Sequence, residues 1–411
     1  MTFDYSAFFT AETERLKQQG NYRTFANIQR DVNTYPQAQF INAAGETIDA
    51  TIWCSNDYMA MSRHPDVIHR MQEVVTQYGA GSGGTRNISG TSYLHTELEK
   101  AVADWHKKQS ALAFTSAYVA NMTALATLGR KIPDMIFLSD ERNHASLIEG
   151  MRHAKNDKII FKHNSKEDLE KHLKEIGRDR PKMIVFESVY SMTGGMSPIA
   201  DFCDLADTYN AMTYLDEVHS VGLYGPTGAG LAEERNLSHR LTLINGTFSK
   251  AIGVFGGYVA GDRTTIDFIR SFGSGFIFTT SLPPSVCAAI TQSISVLKNN
   301  PQMRIAYFER VRLLKDKFRK ASIAFRENPS HIISVTIGDP VKCKRITDTL
   351  LKEFGVYAQP INYPTVPWGE ECLRLTLNPL HSEDDMNHLT QSLSTVLRRL
   401  NPTEAPQEQA A

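Results

Sequence analysis

The sequence predicts an α/β protein: a seven-stranded, mostly parallel sheet covered by helices, with a smaller C-terminal α/β domain behind it. Two observations lead there. Between residues 110 and 260, short β-rich runs alternate with helix-length segments, the pattern of a sheet built by crossover connections. Beyond residue 300 the periodicity changes to long helices around short strands. The 411 residues suffice for two or three domains, and 41% hydrophobic with 22% charged residues is an ordinary globular composition.

The strand candidates are 111–114, 135–139, 159–161, 182–186, 212–216, 243–246 and 257–260. Helical segments such as 141–151 and 199–209 separate most of them, so most neighbours are parallel. Residues 301–320 predict a long surface helix, 331–338 a strand, 341–353 a helix, and Ser382 with three acids behind it opens a last helix. Before residue 50 lie a helix and an extended stretch. The expected organisation is an N-terminal segment 1–49, a large domain 50–298, a small domain 299–401 and a disordered polar tail 402–411.

Several function classes drop out. Lys and Arg number 44 against 45 Asp and Glu, so no bulk field favours nucleic acid. The uncharged stretch 271–297 has the length of a membrane span, but Pro283 and Pro284 in its middle make it a buried loop entering a helix. The acidic N-terminal residues fit neither a secretory signal nor a mitochondrial presequence, so the expected compartment is the cytoplasm. Five scattered cysteines without a C-x-x-C pair fit reduced thiols, with no metal expected. G-x-G-x-x-G occurs at 79–84, but it follows a helical run, 65–78, where a dinucleotide fold needs a strand. LDEVH (215–219) has an acidic pair, yet there is no phosphate-binding G-x-x-x-x-G-K-[ST], which excludes a P-loop enzyme.

Parallel sheets place their sites at the carboxyl ends of strands, which directs attention to Asp216, His219, Lys250 and, upstream, His144. Asp216 ends the apolar run MTYLD, where an acid needs a positive partner facing it. Lys250 lies in the small-residue turn GTFSKAIGVFGGY, a setting in which a lysine can lose its proton and act as a nucleophile. Each residue alone has a plain structural role available to it. At successive strand ends of one sheet they point together to a site.

The Asp-x-x-His pair with a lysine 34 residues on resembles fold type I pyridoxal 5'-phosphate enzymes, in particular the α-oxoamine synthases. WCSNDYMAM (53–61), GAGSGGTRNISGT (79–91), SDERNHASLIEG (139–150), FESVYSM (186–192), YLDEVHSVGLYGPTGAG (214–230), GFIFTTSLPP (275–284) and INYPTVPWGEECLRLT (361–376) are similar to the 5-aminolevulinate synthases. The resemblance implies a PLP-dependent acyltransferase that joins glycine to succinyl-CoA at the start of haem and other tetrapyrrole synthesis. It gives Lys250 the covalent hold on the cofactor, Asp216 the ring nitrogen, His219 the ring hydroxyl and His144 the stacking face. The amides of Ala117 and Tyr118, with Thr247 and Thr279, take the phosphate, Thr279 reaching across a homodimer with shared sites. Glu187 and Ser191 tune the ring or the substrate pose. On the substrate side, Arg374 with Asn56 receives the glycine carboxylate. Arg23, Thr85, Asn87 and Ser139 take the succinyl carboxylate, Ile88 shapes the pocket, and Lys158 meets coenzyme A phosphates.

Three places depart from the family pattern: Ser249 before the lysine, Thr193 in SMTGG, and Leu377 where a proline is usual. They leave room for a sister acyltransferase using another amino acid or acyl-CoA, or for a paralogue serving secondary metabolism. A non-catalytic protein on the same scaffold would not need the intact Asp216, His219 and Lys250 set.

Overall fold

The computed structural model of the chain describes residues 2–42 and 45–400. Its strands are, in chain order, β1 (Asn27–Arg30), β2 (Gln37–Ile41), β3 (Thr47–Ile52), β4 (Ser110–Phe114), β5 (Ile136–Asp140), β6 (Lys158–Phe161), β7 (Lys182–Glu187), β8 (Met212–Asp216), β9 (Leu243–Thr247), β10 (Gly257–Gly261), β11 (Ile333–Thr336), β12 (Val356–Tyr357), β13 (Pro360–Ile361) and β14 (Cys372–Leu375). The described residues fall into two compact units, one of residues 56–191 and 195–307, the other of residues 2–42, 45–55, 192–194 and 308–400.

The first unit holds the seven-stranded sheet in the order β4-β10-β9-β8-β7-β5-β6. The strands from β9 to β6 run parallel, and β10 runs antiparallel to both its neighbours. β5, β7 and β9 are buried at every position, as strands covered on both faces must be. All seven strand candidates are found within a residue or so of their expected ends. The core side chains Leu112, Leu125, Phe137, Val185, Tyr214 and Ile269 form one apolar cluster between sheet and helices. The uncharged stretch after residue 271 becomes a short helix, Ser274–Ile277, and a buried one, Pro284–Asn299, whose first-turn proline gives up no helical hydrogen bond.

In the second unit the N-terminal segment is not a separate piece. β3 pairs in parallel with β12, closing a sheet β1-β2-β3-β12 across some 300 residues of sequence. Phe40 packs on Tyr357 at 4.3 Å between centroids, within a core of Tyr35, Ala38, Ala50 and Ile52. A second sheet, β11-β14-β13, completes this unit. The upper boundary, expected between 298 and 299, falls at 307/308 inside the unbroken helix Pro301–Lys320. The polar tail expected at 402–411 lies outside the described residues.

Each unit carries a buried neutral histidine. Burial pushes His106 down to about 3, with the Lys108 charge acting in the same direction, and its Nε2 meets the Tyr258 hydroxyl at 2.6 Å. Burial likewise lowers His381 to about 4, with Nε2 against the Ile52 carbonyl at 2.9 Å. A histidine whose folded value lies below its unfolded 6.5 stabilises the fold above pH 6.5, and that contribution is lost as pH falls toward the folded value. Each should therefore add a slope of up to about 1.4 kcal/mol per pH unit to unfolding between pH 6.5 and 4. Urea unfolding across that range should show a shallower slope for His106→Gln than for the wild type, even though the variant starts less stable at pH 8. Equal slopes would show that His106 takes up no proton on unfolding.

Candidate active site

The polar residues collect at the carboxyl ends of the parallel strands. β7 and β8 stand in register with Glu187 opposite Asp216, and β9 follows with Asn245 opposite Asp216, so the three strand ends present their groups side by side. Asp216 is 4% exposed. Its Oδ1 accepts the Val218 amide at 2.8 Å, and its Oδ2 accepts the Asn121 carboxamide at 2.8 Å. Glu187 is deeply buried, and burial, then the charge of Asp216 beside it, holds its carboxyl well above the usual range. Its Oε1 still accepts the His144 amide at 2.6 Å, leaving the other oxygen able to carry a proton.

The loop after β9 brings Lys250 to within 3.0 Å of His219, Nζ to Nε2. His219 Nδ1 lies 2.9 Å from the Tyr58 hydroxyl, which donates to Asn56 Oδ1 at 3.2 Å. With that hydroxyl hydrogen on Asn56, His219 carries its proton on Nδ1 and turns an acceptor toward Lys250. The loop is held from inside: Thr247 Oγ1 donates to the Gly256 carbonyl at 3.0 Å and accepts the Ser249 amide at 3.2 Å. Ser249, one of the departures from the family pattern, adds a bond to the same carbonyl at 3.3 Å.

Ala117 and Tyr118 open the helix Ala117–Lys131, capped by Ser116, whose hydroxyl takes the Val119 amide at 3.1 Å. Their own amides are among the first-turn donors that a helix leaves without an internal acceptor. Gly257, across from Thr247 in the β9–β10 pair, comes so close that a Cβ there would stand 2.2 Å from the Ala117 nitrogen. The helix start and the Lys250 loop therefore converge because that position has no side chain. His144 caps the next helix, Ala145–Ala154, with Nδ1 accepting from Ser146, and burial lowers its basicity, with the Lys250 charge adding to the effect.

The remaining candidates are distributed less tightly. Thr85 donates to Asn87 Oδ1 at 2.8 Å in an exposed turn with Ile88 at 80% exposure, and Thr85 bridges to Thr280, next to Thr279. Arg86 anchors that turn by a bidentate pair to Glu99 at 2.7 and 2.9 Å. Ser139 is buried, its hydroxyl accepting from Asn143 at 2.9 Å and donating to the Asp140 carbonyl. Ser191 lies in the turn after β7. Lys158 begins the edge strand β6, at the amino ends of the strands, on the edge of the sheet away from Asp216. In the other unit, Arg374 is buried in the middle of β14 opposite Ser334. Arg23 bonds Thr365 Oγ1 at 3.4 Å and lines a cavity of about 400 Å³ with Asn21, Lys344 and Asp348.

Sequence reasoning missed Asn121, Ser146 and Tyr58. Their signal was faint: a carboxamide on an apolar helix face, a serine two places after His144, a tyrosine two places after Asn56.

Residues 48–393 match the family model for aminotransferase class I and II. The chain is 52% identical to the 5-aminolevulinate synthase of Rhizobium meliloti (strain 1021), covering 96% of this chain and 98% of that one. It is 46% identical to 5-aminolevulinate synthase 1 of Cereibacter sphaeroides, covering 96% and 97%. Among solved structures, SPT with PLP superposes with a TM-score of 0.89 at 28% identity over 97% of this chain and 99% of that one. With identity at this level over nearly the whole length, on a fold type I sheet bearing Asp216, His219 and Lys250 at its strand ends, the chain belongs to the 5-aminolevulinate synthase family.

Proposed function

We propose that the protein condenses glycine with succinyl-CoA and decarboxylates the product, releasing 5-aminolevulinate, coenzyme A and carbon dioxide for tetrapyrrole synthesis, with pyridoxal phosphate as cofactor. The observation that carries this reading is the near full-length identity to 5-aminolevulinate synthases. The residues present fit the cofactor: a buried acid at a strand end for the ring nitrogen, a lysine 3.0 Å from a histidine, and a helix start cleared by Gly257 for a phosphate.

Bound pyridoxal phosphate supplies an electron sink for the carbanion formed at the glycine α-carbon. In this reading Lys250 would hold the cofactor, and its amine, 3.0 Å from His219, would take the α-proton of glycine. Asp216 keeps the ring nitrogen protonated, His219 faces the ring hydroxyl and His144 covers the ring. The amides of Ala117 and Tyr118 hold the phosphate with hydroxyls from Thr247 and Thr279, while Glu187 and Ser191 tune the pose. Arg374, with Asn56, forks onto the glycine carboxylate, the geometry a guanidinium suits. Arg23, Thr85, Asn87 and Ser139 receive the succinyl carboxylate beside Ile88, and Lys158 meets coenzyme A. The assembly in this reading is a homodimer sharing its sites through the segment 275–284. The compartment is the cytoplasm, consistent with five free cysteines.

The deciding assay is glycine plus succinyl-CoA on the purified protein. Asp216→Ala should lower kcat at least about a hundredfold, because a ring nitrogen without its anion accepts electrons poorly. Near-normal turnover in that variant would contradict the role given to Asp216.

Acyl selectivity tests the substrate. An acyl chain without an acid forfeits the charge-assisted hydrogen bonds that the exposed Arg23 guanidinium would give a carboxylate, at a cost of roughly 1.5 to 3 kcal/mol. At tenfold per 1.36 kcal/mol, kcat/KM should favour succinyl-CoA over butyryl-CoA by about tenfold to a little over a hundredfold. Arg23→Leu should shrink the ratio mainly by weakening succinyl-CoA. Equal use of both thioesters by the wild type would move the substrate to another acyl-CoA while leaving the cofactor chemistry standing.

Sharing of sites is read by mixing Lys250→Ala with Thr279→Ala protein. If the two groups come from opposite chains, hybrids regain activity that neither variant has alone. A monomer in solution would overturn this arrangement.

A further inference from the structure

Asn121, 1% exposed on the helix Ala117–Lys131, engages both its amide donors and its carbonyl oxygen with three buried partners. Its Oδ1 accepts the Tyr214 hydroxyl at 2.8 Å. Its Nδ2 donates to Asp216 Oδ2 at 2.8 Å and to Ser146 Oγ at 3.0 Å. The opposite amide orientation would put Oδ1 against a carboxylate oxygen, so the donors must face Asp216 and Ser146.

That polarity propagates. Ser146 Oγ accepts from Asn121 and lies 2.8 Å from His144 Nδ1, with its own hydrogen free to point at that nitrogen. The Ser146 amide donates to the same nitrogen at 3.2 Å. The amide can only donate, which makes Nδ1 the acceptor, so neutral His144 carries its hydrogen on Nε2 and the Ser146 hydroxyl can add a second bond to Nδ1.

We propose that Asn121 is a positioning residue that orients the Asp216 carboxylate and, through Ser146, selects the Nε2–H tautomer of His144, so that one carboxamide sets both groups assigned to the cofactor ring. The link to the ring rests on the proposed function, whereas the tautomer is a property of the protein alone. The two can therefore fail separately.

The test is nitrogen-15 NMR on histidine-labelled apoprotein, with the His144 signal assigned by its loss in His144→Gln, followed by equilibrium dialysis of pyridoxal phosphate against the same variants. The wild type should show His144 as the Nε2–H form. Ser146→Ala should raise the share of the Nδ1–H form at least threefold, and Ser146→Thr, which keeps the hydroxyl, should restore it. Asn121→Ala should shift the tautomer in the same direction and weaken pyridoxal phosphate binding at least tenfold, with its circular dichroism unchanged. An Nδ1–H form in the wild type, or a tautomer ratio unmoved by Ser146→Ala, overturns the proposal. So does an Asn121→Ala protein that folds and binds the cofactor as the wild type does. Should Asn121→Ala fail to fold, the two Ser146 variants decide the outcome by themselves.

Discussion

The structure of the site depends on one buried carboxylate. Asp216 ends a strand in the middle of the sheet, where an unmatched charge would cost several kcal/mol. The protein provides two donors, the Val218 amide and Asn121, one for each oxygen. The neighbouring strand end adjusts to the same charge: Glu187 stands in register beside Asp216, and with water excluded the pair holds one negative charge more easily than two. Burial, and then the charge of Asp216, holds the Glu187 carboxyl well above the usual range, so Glu187 is the strand-end acid disposed to keep a proton. His144 is fixed from the other side, its amide on Glu187 and its ring on Ser146.

Backbone geometry does the rest. The reversed direction of β10 returns the chain beside β9, so the segment from Thr247 to Gly257 is a closed loop between paired strands. Within it Phe248 donates to Gly256, Val254 to Phe248 and Gly253 to Lys250, a set of backbone bonds that fixes the main chain from which the lysine side chain extends. Such prior ordering is how a rigid loop lowers the entropic cost of holding a reacting group in place. Gly257 completes the arrangement by letting the helix start at Ala117 approach the strand.

How much of this was legible in the sequence follows from the range of the interactions. Most strands of the large sheet were readable because each is a short apolar run buried on both faces, and Asp216 and Glu187 were readable because a polar residue ends such a run. The pairing of β3 with β12 was not, since two short segments 300 residues apart carry no local mark of each other. The boundary at 307/308 was missed for a related reason: a continuous helical pattern gives no sign of where one compact unit ends. Asn121 escaped because helical periodicity marks which face is buried but not which buried position carries a hydrogen-bonding task. Of the substrate candidates, the turn from Thr85 to Ile88 and the cavity beside Arg23 show where their residues lie in each unit, while their roles rest on the resemblance.

The acidic pair in LDEVH shows why position outweighs residue type. Asp216 and Glu217 are adjacent, yet alternation along an extended chain sends their side chains to opposite sides. Glu217 Oε1 and Oε2 accept the amides of Ala232 and Leu231 at 2.7 and 3.1 Å, and the Ser220 hydroxyl also donates to it. It thus caps the start of the short helix Leu231–Glu234. A Cβ on Gly230 would come within 2.8 Å of that carboxyl, which is why the left-handed turn there carries no side chain. Burial lifts Glu217 to about 7, so its donors only partly offset the loss of water. Two neighbouring acids therefore serve different ends. Asp216, held by one donor on each oxygen, keeps lone pairs for a ligand, while Glu217 is enclosed by donors from its own chain and holds in place the turn that follows His219.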